Sequence, residues 1–373
     1  MSFFSSLFRK KPADKKHPFK EEVAERQDPQ TTITTLHLKG KPDANGLYPA
    51  ELVMLSLAES FKITETCFPR FLTSNYEISN PLKMLQDLHS RMFLDIGDAK
   101  DCLATFKLTE LQEIAATLNV PVKGKKADIV AQFSDVSEEE LSVVVKDRTW
   151  KLSSQGRDAL NANPYIQYFL EKHNYDITEV DVDIWTVNAE FVKNPKQPYR
   201  DIIYGQLNKA MNKASIQIQK KPTSGTTITN RYCECYRLMG LFIEEEESYV
   251  NACDMYFQYL FKRINIHAGL QLLINYKTYS YDKKFRNGFI SQYYEEIQLY
   301  PYQKKELLRL IDKCNISSEE IRGFLIKSFE RTNDSGVMTA NEAADFVILE
   351  LSGETDKSRE LAHKLAKKAV KKI

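Results

Sequence analysis

Beyond residue 30, apolar residues recur at three- and four-residue steps along most of the chain, which puts them on one face of successive helices and predicts a mainly α protein. One helix runs from Pro49 to about Phe61, with Leu52, Val53, Leu55, Leu57 and Ala58 apolar, and a second from Asn80 to Met92, with Leu82, Met84, Leu85 and Leu88 on its inner side. Asn80-Pro81 is a helix start, a capping side chain followed by proline in the first turn. Phe93 to Gly97 reads as a short strand or extended turn. Next, Leu108, Leu111, Ile114, Ala115 and Leu118 form an amphipathic stripe, and Val120-Pro121-Val122 interrupts the helix. Gly124 permits a tight approach to another helix beginning near Lys125, whose Ile129, Val130 and Phe133 face back. Glu138 to Val145 is helical and Thr149 to Leu152 extended. Ser153 then caps a helix through Leu160, and Asn163-Pro164-Tyr165 begins another.

The C-terminal half reads as helical almost throughout. A helix from Tyr199 to Ile218 turns Ile203, Leu207, Ala210, Met211 and Ala214 inward, and a hairpin follows over roughly Thr229–Glu245 and Ser248–Ile264. Further helices are predicted at Ile290–Leu299, Tyr302–Lys313, Ser317–Phe329, Asn341–Leu351 and Lys357–Lys372. Periodicity fails over 1–30, which reads as a disordered basic tail, and over Asn174–Gln197, where Pro195 and Pro198 hold the chain out of helix. The expected divisions are the tail (1–30), a helical block (31–100), the short helical pair (101–135), an extended segment with helices (136–183) and a helical domain (184–373), giving two lobes that meet between about His173 and Ile184, with Asn194 to Pro198 exposed and protease-sensitive.

Three motifs in the short pair are similar to the SAP domain, a small helix-loop-helix module that binds DNA and sometimes RNA. They are Leu108-Thr109-x-Leu111, Val120-Pro121-Val122 and Gly124-Lys125-Lys126-Ala127-Asp128-Ile129. The resemblance covers roughly 30 residues and implies a nucleic-acid partner, DNA more than RNA, met at Lys123, Gly124, Lys125 and Lys126. A helix N-terminus with free amides and two adjacent lysines is physically suited to a phosphate. The helix followed by a short strand, and Leu152-Ser153-x-x-Gly156-x-x-x-Leu160, resemble winged-helix elements, although three helices without a wing fit the first block equally. Tyr236, Gly240, Tyr249, Ala252 and Tyr256 fall at offsets similar to one tetratricopeptide unit. From Gly46-Leu47-Tyr48-Pro49-Ala50-Glu51 to Pro198-Tyr199-Arg200-Asp201-Ile202 the chain resembles SAP-domain-containing proteins of low-GC Gram-positive bacteria and their phages, which implies a cytoplasmic bacterial or phage protein and no particular activity.

Charge narrows the expectation. The 373 residues carry a formal net charge of +1, so nucleic-acid contact has to come from local patches. The SAP-like segment is itself balanced, four lysines (Lys107, Lys123, Lys125, Lys126) against Asp101, Glu110, Glu113 and Asp128. From Val192 to Lys221 seven cations face one acid, and Lys209 and Lys213 share a helix face, a phosphate-tracking surface or a plain solvated one. Six scattered cysteines suit a reducing cytoplasm. No apolar run reaches the roughly 18 residues of a membrane span.

Catalytic and metal signatures are not found: there is no phosphate-binding glycine loop, no Gly-x-Ser-x-Gly and no His-Glu-x-x-His. Cys233 and Cys235 would point about 200° apart on a helix, so no metal or other cofactor is expected. Glu244 to Glu247 reads as a solvated helix end, and the aromatics of Tyr249 to Phe261 as core in preference to a base-stacking platform. Two functions remain. One is a non-catalytic nucleic-acid-binding accessory protein whose C-terminal helical lobe recruits a protein partner; the other is a protein-interaction scaffold built on the helical hairpins.

Overall fold

The computed structural model describes residues 38–172, 180, 182–220, 226–279, 281–332 and 336–371. The expected basic tail, 1–30, lies outside them, as do most of 173–181 and Lys221. The chain is mainly helical and divides into two compact units, Met1–Gln167 and Tyr168–Ile373. That division falls before the extended stretch from which the sequence reading drew its lobes.

In the first unit, α1 (Pro49–Leu57) is buried along nearly its whole length, with Leu52, Val53, Met54 and Leu55 fully inaccessible. Buried Glu51 caps its start, accepting from Tyr48 N at 2.8 Å, and is neutralised by Arg91. A short helix absent from the sequence reading, α2 (Phe71–Tyr76), is closed by Glu77 in the left-handed region. In α3 (Pro81–Ser90) Met84, Leu85 and Leu88 are buried and the Asn80 side chain accepts from Lys83 N, as its Asn-Pro start predicts. Strands β1 (Leu94–Ile96) and β2 (Trp150–Leu152) then pair antiparallel, Leu94 opposite Leu152 and Ile96 opposite Trp150. Among the described residues this is the whole sheet, extended by a bridge between Lys62 and Thr149.

Everything from α4 (Ala99–Cys102) through α5 (Leu108–Thr117) and α6 (Lys126–Gln132) to α7 (Glu138–Val144) lies between those two strands. These helices share a core of their own, in which Cys102, Leu103, Leu111, Ala115, Ile129, Phe133, Leu141 and Val145 are buried. The module is therefore longer at both ends than the 101–135 read from sequence, because α4 and α7 close the core. Glu138 ties them: its carboxylate accepts from Ala99 N at 2.7 Å and Lys100 N at 3.2 Å. Burial works to raise that carboxyl, but these bonds and one from Ser142 outweigh it and hold it below the usual carboxylate range. Beyond β2, the Ser153 hydroxyl caps α8 (Ser154–Ala162), and α9 (Tyr165–Lys172) carries the chain across the division. Gly156 lies against the Phe93 carbonyl so closely that a Cβ would sit 2.2 Å from its oxygen.

The second unit continues with α10 (Ile184–Phe191), capped by Asp183, and the long α11 (Tyr199–Lys220). Next, α12 (Thr226–Glu244) and α13 (Tyr249–Phe261) form the predicted hairpin, turning at Glu247 with φ 58°. A Cβ on Gly240 would meet Ala252 O and Met255 Cβ at 3.3 Å, so the small residues do mark a close crossing. The second arm does not end at Ile264. It passes through a π-helical turn, Lys262–His267, into α14 (Ala268–Thr278), since nothing there breaks a helix. The bundle is completed by α15 (Lys283–Ile297), α16 (Pro301–Lys313), α17 (Ile321–Glu330), α18 (Ala340–Leu351) and α19 (Thr355–Val370). α15 starts seven residues before the sequence reading placed it, because its first turn is cationic and lacks an apolar stripe.

Candidate nucleic-acid interface

In the SAP-like module α5 ends one step before its predicted breaker. Asn119 takes φ 55°, a left-handed stop, and the Val120-Pro121-Val122 run follows as extended chain. Leu111, Ile114 and Ala115 are buried as the stripe requires, but Leu108 is 45% exposed and does not face the core. Gly124 has φ 94°, and a Cβ there would also lie 2.6 Å from an Asp128 carboxylate oxygen. That carboxylate accepts from Lys125 N at 2.7 Å, so the protein's own acid occupies the start of α6.

The four predicted contact residues are thus brought together and then separated by role. The Lys126 ammonium, on an exposed residue, donates to Ala104 O at 2.7 Å. Its burial lowers the ammonium below the usual lysine value, with Glu110 pulling it partly back. Lys126 is thus held by a backbone carbonyl while remaining on the surface, which distinguishes it from its neighbour Lys125. Lys123 and Lys125 are exposed and, among the described residues, outside any ion pair.

The basic run of the second unit separates in the same way. Lys209 and Lys213 are exposed on α11, with Lys220 on the same face one turn-multiple later. Arg200 is drawn away: it binds Glu245 at 3.1 Å and Glu246, and lies over the rings of Phe242 and Tyr168. Lys193 pairs with Glu190 at 3.0 Å. The acidic run is therefore only in part the solvated end expected from sequence: Glu246 and Glu247 are exposed, Glu244 and Glu245 half-buried. Glu244 is gripped by Arg309 and by Lys313 at 2.9 Å, and the Arg309 guanidinium holds its carboxyl below the usual range.

Other candidates resolve into structure. Tyr256, Phe257, Tyr259 and Phe261 are buried and present no ring to a ligand. Cys233 and Cys235 are both buried thiols, and among the described residues no three His, Cys, Asp or Glu side chains gather as a metal site. A cleft of about 430 Å³ on the module is lined by Phe106, Glu110, Ile114, Thr117, Val144 and Asp147 among others. Two of its three acids are engaged, Glu110 with Lys107 N at 2.6 Å and Asp147 with Lys62 at 2.6 Å. No described helix is long and apolar enough to cross a membrane. One surface the sequence reading missed runs from Tyr276 to Phe289, where aromatic and cationic residues alternate without a helical stripe. Comparison with protein-family models, curated proteins and solved structures finds no match for this chain.

Proposed function

We propose that the protein is a non-catalytic nucleic-acid-binding accessory protein, with DNA as the preferred partner, and that residues 99–145 are a SAP-like binding module. One observation carries this reading. Within the Gly124 to Ile129 motif the fold engages Gly124, the Lys126 ammonium, Asp128 and Ile129, while the side chains of Lys125 and its neighbour Lys123 are exposed and outside any ion pair among the described residues. Exposed Lys209 and Lys213 offer a second phosphate-tracking surface, on the other unit. Burial pushes the Cys253, Cys314 and Cys102 thiols up, which suits packing better than nucleophilic chemistry and fits a reducing, cytoplasmic setting.

Binding to a labelled DNA duplex at low salt should be largely independent of sequence and steeply salt-dependent. The pair Lys123→Glu/Lys125→Glu should weaken it for every sequence tested and reduce the salt slope by about 2. Lys126→Gln should instead lower the melting temperature with little change in affinity. Duplex binding unaltered by the charge reversal would remove the module from the interface, and a stoichiometric protein partner surviving nuclease treatment would favour the scaffold.

A further inference from the structure

The stretch joining α14 to α15 carries more exposed aromatic surface than the fold can use. Tyr279 is the hub: its ring centroid lies 6.1 Å from Tyr281, 5.6 Å from Phe285 and 5.4 Å from Phe289. Phe289 anchors the group on the core of the second unit, whereas Tyr281 is 79% and Phe285 55% exposed. Cations surround these rings. Lys277, Lys283 and Lys284 are exposed and, among the described residues, outside any ion pair, and Arg286 lies over the Tyr276 ring at 5.3 Å. The one acid of the stretch, Asp282, is committed to capping α15, accepting from Lys284 N at 2.7 Å and Phe285 N at 3.3 Å.

Flat π faces held open beside unpaired cations complement a polyanion whose own flat faces are accessible. A duplex hides its bases in the stack; a single strand offers both bases and phosphates. A bilayer is the poorer fit, because the rings are flanked by exposed Thr278 and Asn287 and by lysines, without the broad aliphatic face on which a helix lies in lipid. We infer that the Tyr279–Phe289 surface binds single-stranded nucleic acid, with bases stacking on Tyr281 and Phe285 and phosphates meeting Lys283 and Lys284. The inference rests on the nucleic-acid reading above, but on residues of the other unit.

The test uses the full chain, fluorescence anisotropy and two probes, a mixed-sequence single strand of roughly 20 nucleotides and the matching duplex. Tyr281→Ala/Phe285→Ala should weaken single-strand binding by roughly tenfold or more and leave the duplex unaffected. Lys283→Gln/Lys284→Gln should lower the salt slope for the single strand by about 1.4. All four positions are exposed, and unchanged melting curves would establish that the variants fold. Lys123→Glu/Lys125→Glu, read on the duplex, reports the module separately, so loss of either activity leaves the other measurable. The inference is overturned if the wild type ignores the single strand at low salt, or if the aromatic variant binds it as the wild type does. It is equally overturned if the same substitutions abolish cosedimentation with phosphatidylserine vesicles and spare the oligonucleotide.

Discussion

Single residues show most plainly how motif and fold divide the work. Gly124 reads from sequence as a contact residue and Asp128 as an acid balancing the lysines, yet their spacing is also what starts α6, a left-handed glycine that leaves room for the capping carboxylate. Polar residues at the π-helical turn were not legible in the same way. His267 lies there with Nδ1 2.7 Å from the buried Thr229 hydroxyl, and burial, assisted by Arg263 and opposed by Glu296, lowers its pKa from 6.5. A depressed histidine stays neutral in the fold while the unfolded chain takes up a proton. Its stabilising contribution is therefore complete above pH 6.5 and is lost as pH falls through the folded value. Thermal melts of wild type and His267→Gln should accordingly show a wild-type advantage at pH 8 that shrinks on acidification below 6.5. A constant difference between the two would mean that the ring does not titrate as described.

At the level of elements, the apolar pattern located most helices because tertiary packing follows the same stripes that periodicity reveals. It failed at α2, at α14 and at the start of α15, where helices are set by context: a left-handed stop at Glu77, an uninterrupted passage from α13, an aspartate cap. The π-helical turn brings Asn265, 1% exposed, against residue 338 of the loop before α18. Its amide accepts from Met338 N at 2.7 Å and donates to Met338 O at 3.2 Å, as a neighbouring strand would. Replacing it leaves two buried backbone groups unpaired, at roughly 1–3 kcal/mol each. Asn265→Ala should thus destabilise the second unit by about 3 kcal/mol in urea unfolding. A loss below about 0.5 kcal/mol would imply that the loop finds other partners.

On the scale of the whole molecule the sequence placed the break between its lobes between about His173 and Ile184, a few residues beyond the division at Gln167, and residues 193–198 are exposed as expected. That stretch lies between α10 and α11 inside the second unit, as it does inside the expected 184–373 domain, so the prolines interrupt a helix without separating cores. The candidate site was legible as a list of lysines but not as a division between ties and free charges, since only the folded chain decides that Lys126 reaches Ala104 and Arg200 reaches Glu245.

The position of the module between β1 and β2 constrains the order in which the first unit can assemble. Two strands of three residues each must meet across roughly 50 intervening residues, and closing a flexible chain of that length costs on the order of 3 kcal/mol in entropy. So short a ladder cannot supply that alone. A folded module removes the difficulty by delivering both strands side by side, with Gly97 N already 2.8 Å from Thr149 O. The module also holds the ladder through Lys151 of β2, whose ammonium meets the Asp101 carboxylate of α4 at 2.8 Å. Leu111→Ala, which opens a cavity at a fully buried position and costs about 2–5 kcal/mol, should erase hydrogen-exchange protection at the Gly97 amide together with that of α5. Protection surviving at Gly97 while α5 exchanges freely would show that the strands close first and the module folds inside a loop already shut.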